Sequence, residues 1–204
     1  MRTKKNNSPI LASPGHSLRF FGACYLKFFG MKYQLDSGDF LIRLADASDA
    51  KAIAALHVST YNETHGAGPH SPALAIREHQ WKEAFESDDN KSWFCLVIEN
   101  ESREMVGFAK GIPYRLDDLP YDGELNKIYL LKKYQGRGLG RSLLKEISMQ
   151  FLKRNIFSML LFGDANNPGN KFYEAMGATR LYSKNGEFHG GYGWKDIRTI
   201  LNLH

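Results

Sequence analysis

From residue 39 onward, apolar and polar positions follow a pattern that changes period at regular intervals. "DFLIRLA" alternates with period two and predicts a strand. "DASDAKAIAALHVSTY" follows with Asp46 or Ser48 in the N-cap position and Ile53, Leu56 and Val58 on roughly one face, which predicts a helix. "NETHGAGPHSP" has loop composition, and "ALAIREHQWKEAFES" predicts a second helix with Leu74, Trp81 and Phe85 inward. "SWFCLVIEN" and "MVGFAKGIPY" predict two strands joined by the charged turn "ENESRE", an antiparallel hairpin, and "DGELNKIYLL" the strand after them. Leu139, Leu143, Leu144, Ile147 and Phe151 mark one stripe of a helix ending near Arg154. "FSMLLFG" then predicts a buried strand and "NPGNKFYEAMG" a short helix closed by Gly177. "TRLYS" and "GYGWKDIRTIL" give two last strands around the "KNGE" turn. The order β-α-α-β-β-β-α-β-α-β-β predicts an α/β fold: a mixed, mostly antiparallel sheet of about six or seven strands with helices on both faces.

Composition adds limits to this picture. A chain of 204 residues with 43% hydrophobic content supports one well-buried core and is short for two. The formal charge of +5 raises the question of a nucleic-acid partner. Lys127, Lys132, Lys133, Arg137, Arg141 and Lys145 gather around one glycine-rich stretch instead of along a groove-sized face, which suits a small polyanion and not a nucleic acid. Cys24 and Cys95 lie far apart in apolar company, which predicts reduced structural thiols and suits a cytoplasmic protein. No apolar run reaches the about 18 residues of a membrane span. No His, Cys and Asp cluster has metal-ligand spacing, so no metal is expected.

Residues 1–38 differ from the rest. A basic tail rich in Pro, Ser and Asn leads into "LRFFGACYLKFFG" and "MKYQLDSGD". No apolar core with a small-residue cleavage site marks a signal peptide. Three readings stay open: a flexible extension, an amphipathic segment that meets a membrane surface or a partner, and a natural start at Met31. The boundary of the folded domain is placed at residue 39, giving a domain over 39–204.

The stretch "YQGRGLGRSLL" carries the chemistry. Three glycines, Gly136, Gly138 and Gly140, stand before an amphipathic helix, where free backbone N–H groups make an anion site. A P-loop requires G-x-x-x-x-G-K-[ST], and Gln135 occupies its first glycine position. The dinucleotide fingerprint G-x-G-x-x-G has a different interval and belongs after a first strand. What remains is Q-x-x-G-x-G, from Gln135 to Gly138 and Gly140, between a strand and a helix. It resembles the coenzyme A loop of the GNAT superfamily, the GCN5-related N-acetyltransferases. A second block, from Asn166 to Gly177, resembles that superfamily's N-x-x-A-x-x-F-Y-E-x-x-G segment. Gly169 departs from it where alanine is usual, and Ala178 follows where an aromatic residue is common. The likeness covers about residues 39 to 201.

The resemblance implies a GNAT fold and acetyl-CoA as cosubstrate. It implies that Ile128, Tyr129 and Leu130 pair with the pantetheine arm along a splayed strand, and that an N–H near Leu130 polarises the thioester carbonyl. Gln135, Gly136, Arg137, Gly138, Leu139, Gly140 and Arg141 would cradle the pyrophosphate, with Asn166 as a further cofactor contact. Tyr173 occupies the position of the general acid. An ordinary phenol, with a pKa near 10, stays protonated beside a thiol's near 8.5. Glu124 is the first choice of general base, with His65, His70 and His189 as alternatives by chemistry alone. The acceptor is a small-molecule or peptide amine. The acidic loop that carries Asp117, Asp118 and Asp122 next to Glu124 would attract a cationic one. Dimers are common in the family, so a homodimer is one assembly it implies. The competing class is a non-catalytic coenzyme A-binding module of the same fold.

Overall fold

Residues 31–35, 38–69, 71–87 and 92–203 are described by a computed structural model of the chain. Met31–Leu35 (β1) pairs antiparallel with Gly38–Leu44 (β2), from Met31 opposite Ile42 to Leu35 opposite Gly38. The sheet thus begins inside the segment assigned to the N-terminal extension, and the boundary at residue 39 cuts a hairpin. The signal was present as Met31, Tyr33 and Leu35 before "DSGD", but five residues beside a polar tail are too few for periodicity to stand out. Residues 1–30, and the three readings of them, lie outside the described residues.

Asp46 is the cap that follows β2. It accepts from Ser48 N–H at 2.9 Å while Asp49 accepts from Asp46 N–H at 2.9 Å, a reciprocal box that starts a single 3₁₀ turn and then α1, Ala50–His65. After α2 (Leu74–Glu86) come β3 (Phe94–Glu99), β4 (Met105–Pro113) and β5 (Gly123–Leu130). The rest of the chain is α3 (Leu139–Leu152), β6 (Met159–Phe162), α4 (Asn170–Ala175), β7 (Thr179–Tyr182), β8 (Phe188–Trp194) and α5 (Arg198–Leu201). One sheet of eight strands runs β1-β2-β3-β4-β5-β6-β8-β7. Among the described residues only β5 and β6 are parallel, because α3 carries the chain back between them.

α3 covers one face of the sheet. Its predicted stripe, Leu139, Leu143, Leu144, Ile147 and Phe151, is fully buried against Leu96, Ile98, Leu125 and Trp194. α1 and α2 cover the other face, where Ile53, Leu56 and Trp81 join Val97 and Phe108. Two expectations change here. Leu74 is 45% exposed, because α2 engages the core only through its later turns, where Trp81 and Phe85 meet Trp93. The last predicted strand stops at Trp194. Asp196 accepts the Arg198 N–H at 2.9 Å and turns the chain into α5, so Ile197 and Ile200 are buried beside α3 instead of alternating along a strand.

An ionic cluster locks the entry to α1. Arg43 on β2 donates through both terminal nitrogens to Asp49, at 2.7 and 2.8 Å, and through Nε to Glu99 on β3 at 2.9 Å. Both carboxylates are buried.

Candidate active site

The site is built on β5. Lys110 on β4 faces Lys127, but Gly111 faces Leu125, so Asn126 is an extra residue, a bulge. The bulge resets the alternation of side chains. Leu125 and Ile128 both face the α3 side, while Lys127 and Tyr129 turn toward α1 and α2.

At the same place β5 leaves its other neighbour. It pairs with β6 only at Gly123 and Glu124, yet keeps β4 as far as Leu130. Past Glu124 one edge of β5 has no strand beside it among the described residues. Which groups line that edge follows from the ladder: Leu131 N–H donates to Val106 O at 3.0 Å, so Tyr129 and Lys127 also point their amides at β4. Ile128 and Leu130 point theirs at the open side. Of the three residues expected to pair with a cofactor arm, Tyr129 therefore turns its backbone N–H to β4, and its ring packs toward α1 and α2. Leu130 O already accepts from Gln135 Nε2 at 3.0 Å, which leaves the Leu130 N–H as the open donor.

The chain then makes a short turn and enters the glycine stretch. Gly136 and Gly138 have φ of +74° and +83°, a region that penalises any side chain with a Cβ. Gly138 is the N-cap of α3 and, having no side chain, covers none of the amides behind it. Ser142 N–H is the first to bond back, to Gly138 O at 3.0 Å. The N–H groups of Leu139, Gly140 and Arg141 therefore point out of the helix end, where the helix dipole adds positive potential. Exposed Lys132, Lys133, Arg137 and Arg141 surround this end. Two of the six basic residues expected there belong elsewhere. Lys145 donates to Leu203 O at 2.6 Å, and Lys127 lies on the opposite face of the sheet.

α4 abuts the same helix end. A Cβ on Gly140 would lie 3.4 Å from the Phe172 ring, so α4 rests on the start of α3. Its next residue, Tyr173, is half-buried against Tyr192 and Trp194, at ring-centre distances of 5.5 and 6.4 Å. Burial, and then the neighbouring Tyr129 and Tyr192, push its phenol up to about 12. The helix is pinned from behind, since Trp194 Nε1 donates to Met176 O at 2.8 Å. Asn166 is exposed in the turn before α4, its N–H held by Asp164 Oδ1 at 2.9 Å. Asn170, which the sequence did not single out, is the buried one and ties the turn through Asp164 O at 2.9 Å and Ala165 O at 3.1 Å.

Glu124 sits where β5 and β6 part, opposite Leu160, and accepts from Asn126 Nδ2 at 2.8 Å. The acidic loop is less free than its composition suggests. Asp118 accepts from Tyr114 Oη at 2.6 Å, and Asp122 from Ser158 Oγ at 2.9 Å. Asp117 and its neighbours line a broad surface cleft before β5 begins. His189 is exposed beside Glu187, His65 ends α1, and His70 lies outside the described residues.

Behind β5, under α1 and α2, lies His57. Its ring stacks on Tyr129 at 4.8 Å and lies 5.8 Å from Phe108. Burial first, then Arg77 and Lys127, lower its pKa to about 4, so it is neutral at physiological pH. The sequence carried a signal for it: His57 lies on the inward stripe of α1, four residues after Ile53.

Comparison with known proteins supports the same arrangement. A sequence profile described as the acetyltransferase (GNAT) family matches residues 41–178. The uncharacterized N-acetyltransferase YuaI of Bacillus subtilis (strain 168) is 32% identical over 171 residues, 79% of this chain and 98% of that one. Among solved structures, the GNAT domain of S. lividans PAT superposes with a TM-score of 0.63 at 19% identity, covering 83% of this chain and 98% of that one. The yncA protein of Salmonella typhimurium, solved with its cofactor acetyl-CoA, gives 0.57 at 20% identity, covering 81% and 95%. The profile spans the parted strand, the glycine turn and Tyr173, and on that ground the chain belongs to the GNAT family of acetyltransferases.

Proposed function

We propose that the protein is an N-acetyltransferase that carries the acetyl group of acetyl-CoA to a primary amine by direct attack in a ternary complex. The observation that carries this reading is the open edge of β5 running into the uncapped end of α3. That edge offers one strand's worth of backbone groups, and it ends at a cluster of N–H donors ringed by basic side chains. A pantetheine arm has the amide groups for the first, and a pyrophosphate has the charge for the second. Acetyl-CoA supplies an activated acetyl thioester.

The chain's own groups take the remaining roles. Leu130 N–H donates to the thioester carbonyl oxygen and stabilises the charge that builds there. Glu124, at the parting of β5 and β6, accepts the proton released by the amine, directly or through water. Tyr173 holds a proton for the departing sulfur. Its phenol is fully protonated at neutral pH, and the burial that raises its pKa also raises that of a thiolate beside it, which brings the transfer closer to balance. The new N–C bond forms as the C–S bond breaks, and the proton count closes through Tyr173 and Glu124.

Thermal denaturation with acetyl-CoA tests the binding half of this reading, and release of free thiol across an amine panel tests the chemical half. We expect stabilisation in the first and thiol release with at least one amine in the second. Gly138→Val, which forces a β-branched residue to a φ of +83°, abolishes the stabilisation. No stabilisation of the native chain sinks the proposal. Stabilisation without thiol release converts it to a coenzyme A-binding module.

A further inference from the structure

Beneath α1 and α2, His57, Arg77, Gln80, Trp81, Lys110 and Lys127 line a cavity of about 90 Å³. Among the described residues, its walls carry three basic side chains and no carboxylate. His57 is 4% exposed, and among the described residues its Nδ1 has no hydrogen-bond partner, nor has the buried Nε of Arg77. One Arg77 nitrogen, Nη1, is committed to Gln80 Oε1 at 2.9 Å. Lys110 lies over the Trp93 ring at 4.2 Å and the Trp81 ring at 5.4 Å. Lys127 is half-buried. Burial, and then Arg77, hold its ammonium below the ordinary lysine range, against the pull of Glu124 in the other direction.

Arg77 and Lys127 form no ion pair with a carboxylate among the described residues. Converging, partly desolvated cations are unfavourable unless an opposite charge comes between them, and a buried donor without an acceptor adds its own cost. Nothing in the core needs this cluster, since Trp81 and Phe108 already pack the space around it. An arrangement that is unfavourable when empty and relieved by an anion is a binding site.

Its position says whose anion. Lys127 directly follows the bulge at Asn126, and Ile128 after it turns its amide to the open edge. The cavity and the edge are therefore the two sides of one three-residue segment. We propose that this cavity binds an oxyanion, a carboxylate or a phosphate, on the amine acceptor itself, with Arg77 and Lys127 pairing to it while the amine reaches the open edge of β5. The acceptor class is then an amine that also carries an anionic group, and not the purely cationic amine that the acidic loop suggested. The cavity has room for one such group with water. This inference rests on the N-acetyltransferase reading for the identity of the occupant, but the anion site is measurable without it.

Two arms on the full chain test it. In the first, the chain is saturated with coenzyme A so that its phosphate-binding loop is filled, and inorganic phosphate or acetate is added at constant ionic strength. Both anions raise the thermal midpoint of the native chain, and Arg77→Gln and Lys127→Met each remove the effect. In the second, kcat and KM are compared for glycine against glycinamide, and for O-phosphoethanolamine against ethanolamine. The anionic member of a pair is preferred roughly ten- to hundredfold in kcat/KM. Arg77→Gln erases the preference by raising KM for the anionic member alone, and Arg77→Lys restores part of it. The preferred pair tells carboxylate from phosphate. Absence of anion stabilisation in the native chain, or equal use of both members of each pair, overturns the proposal. If Arg77→Gln does not fold, Lys127→Met carries the same comparison. Failure of acetyl-CoA to stabilise the chain sinks the acetyltransferase reading alone and leaves the first arm to decide the anion site.

Discussion

Tyr173→Phe lowers kcat by roughly 10²–10⁴-fold, the range for loss of a general acid, and leaves stabilisation by acetyl-CoA intact. The substitution removes one oxygen from a side chain whose ring is already held by Tyr192 and Trp194, so α4 keeps its seat and the fold is not disturbed. The departing sulfur then leaves without a proton donor, and amines of differing basicity slow alike, because the defect lies on the thiol side of the reaction. The sign of the pH dependence follows from the direction of the shift. A phenol pushed up to about 12 stays in its donor form throughout the stable range, so the native profile has no alkaline fall from Tyr173 below about pH 10. A steady-state profile up to that pH checks both points. Unchanged turnover in the Phe variant removes Tyr173 from the mechanism.

Arg43→Met destabilises the fold by about 3–5 kcal/mol, measured by urea denaturation, because it leaves buried Asp49 without its cation and buried Glu99 with only the exposed Arg103, 3.1 Å from its Oε2. Burial alone would raise the pKa of Asp49. The paired hydrogen bonds and charge of Arg43, together with the Asp46 N–H, more than reverse this and hold it below the ordinary aspartate value. Asp49 in the native chain thus stabilises above its unfolded pKa, and that contribution is lost as pH falls through the lower folded value. In the variant, burial outweighs the one remaining contact, the Asp46 N–H, and the sign inverts. Asp49 is raised, destabilises at neutral pH, and recovers on protonation. The gap between variant and native chain therefore narrows as pH falls from 7 toward 4. A gap that is constant or widens would show that Arg43 contributes by packing. Arg43→Lys, which keeps the charge but loses the two-pronged contact, falls between the two.

The sequence was most legible where local chemistry and tertiary structure ask for the same thing. The α3 stripe is fully buried, the glycine stretch adopts the left-handed conformations its composition allows, and the Gly177 stop has a φ of +82°. The parts that could not be read depend on pairing between distant segments. Asn126 has no feature of a bulge in sequence; it becomes one because β4 is one residue short of matching β5. That single insertion turns Lys127 away from the glycine loop and into the cavity beside His57. Lys145 has the spacing to face the phosphate end, yet the carbonyl of Leu203, 58 residues on, claims it. The acidic loop attracted attention for its charge, but Tyr114 and Ser158 occupy two of its carboxylates. Net charge by segment is visible in a sequence, whereas the partner that cancels it is not.

The parting of β5 and β6 also has a mechanical meaning. Among the described residues, two paired positions, Gly123 with Met159 and Glu124 with Leu160, form the strand ladder that joins β1 to β5 with the β6-β8-β7 group. The sheet is two panels sharing a short hinge, steadied by α3 lying across them and by the Ser158 contacts to Asp122 and Gly123. A molecule laid along the open side of β5 fills the missing seam, so occupancy stiffens the panels as well as filling a pocket. Amide hydrogen exchange in β6 and β8 slows when coenzyme A is bound, although neither strand carries the glycine turn.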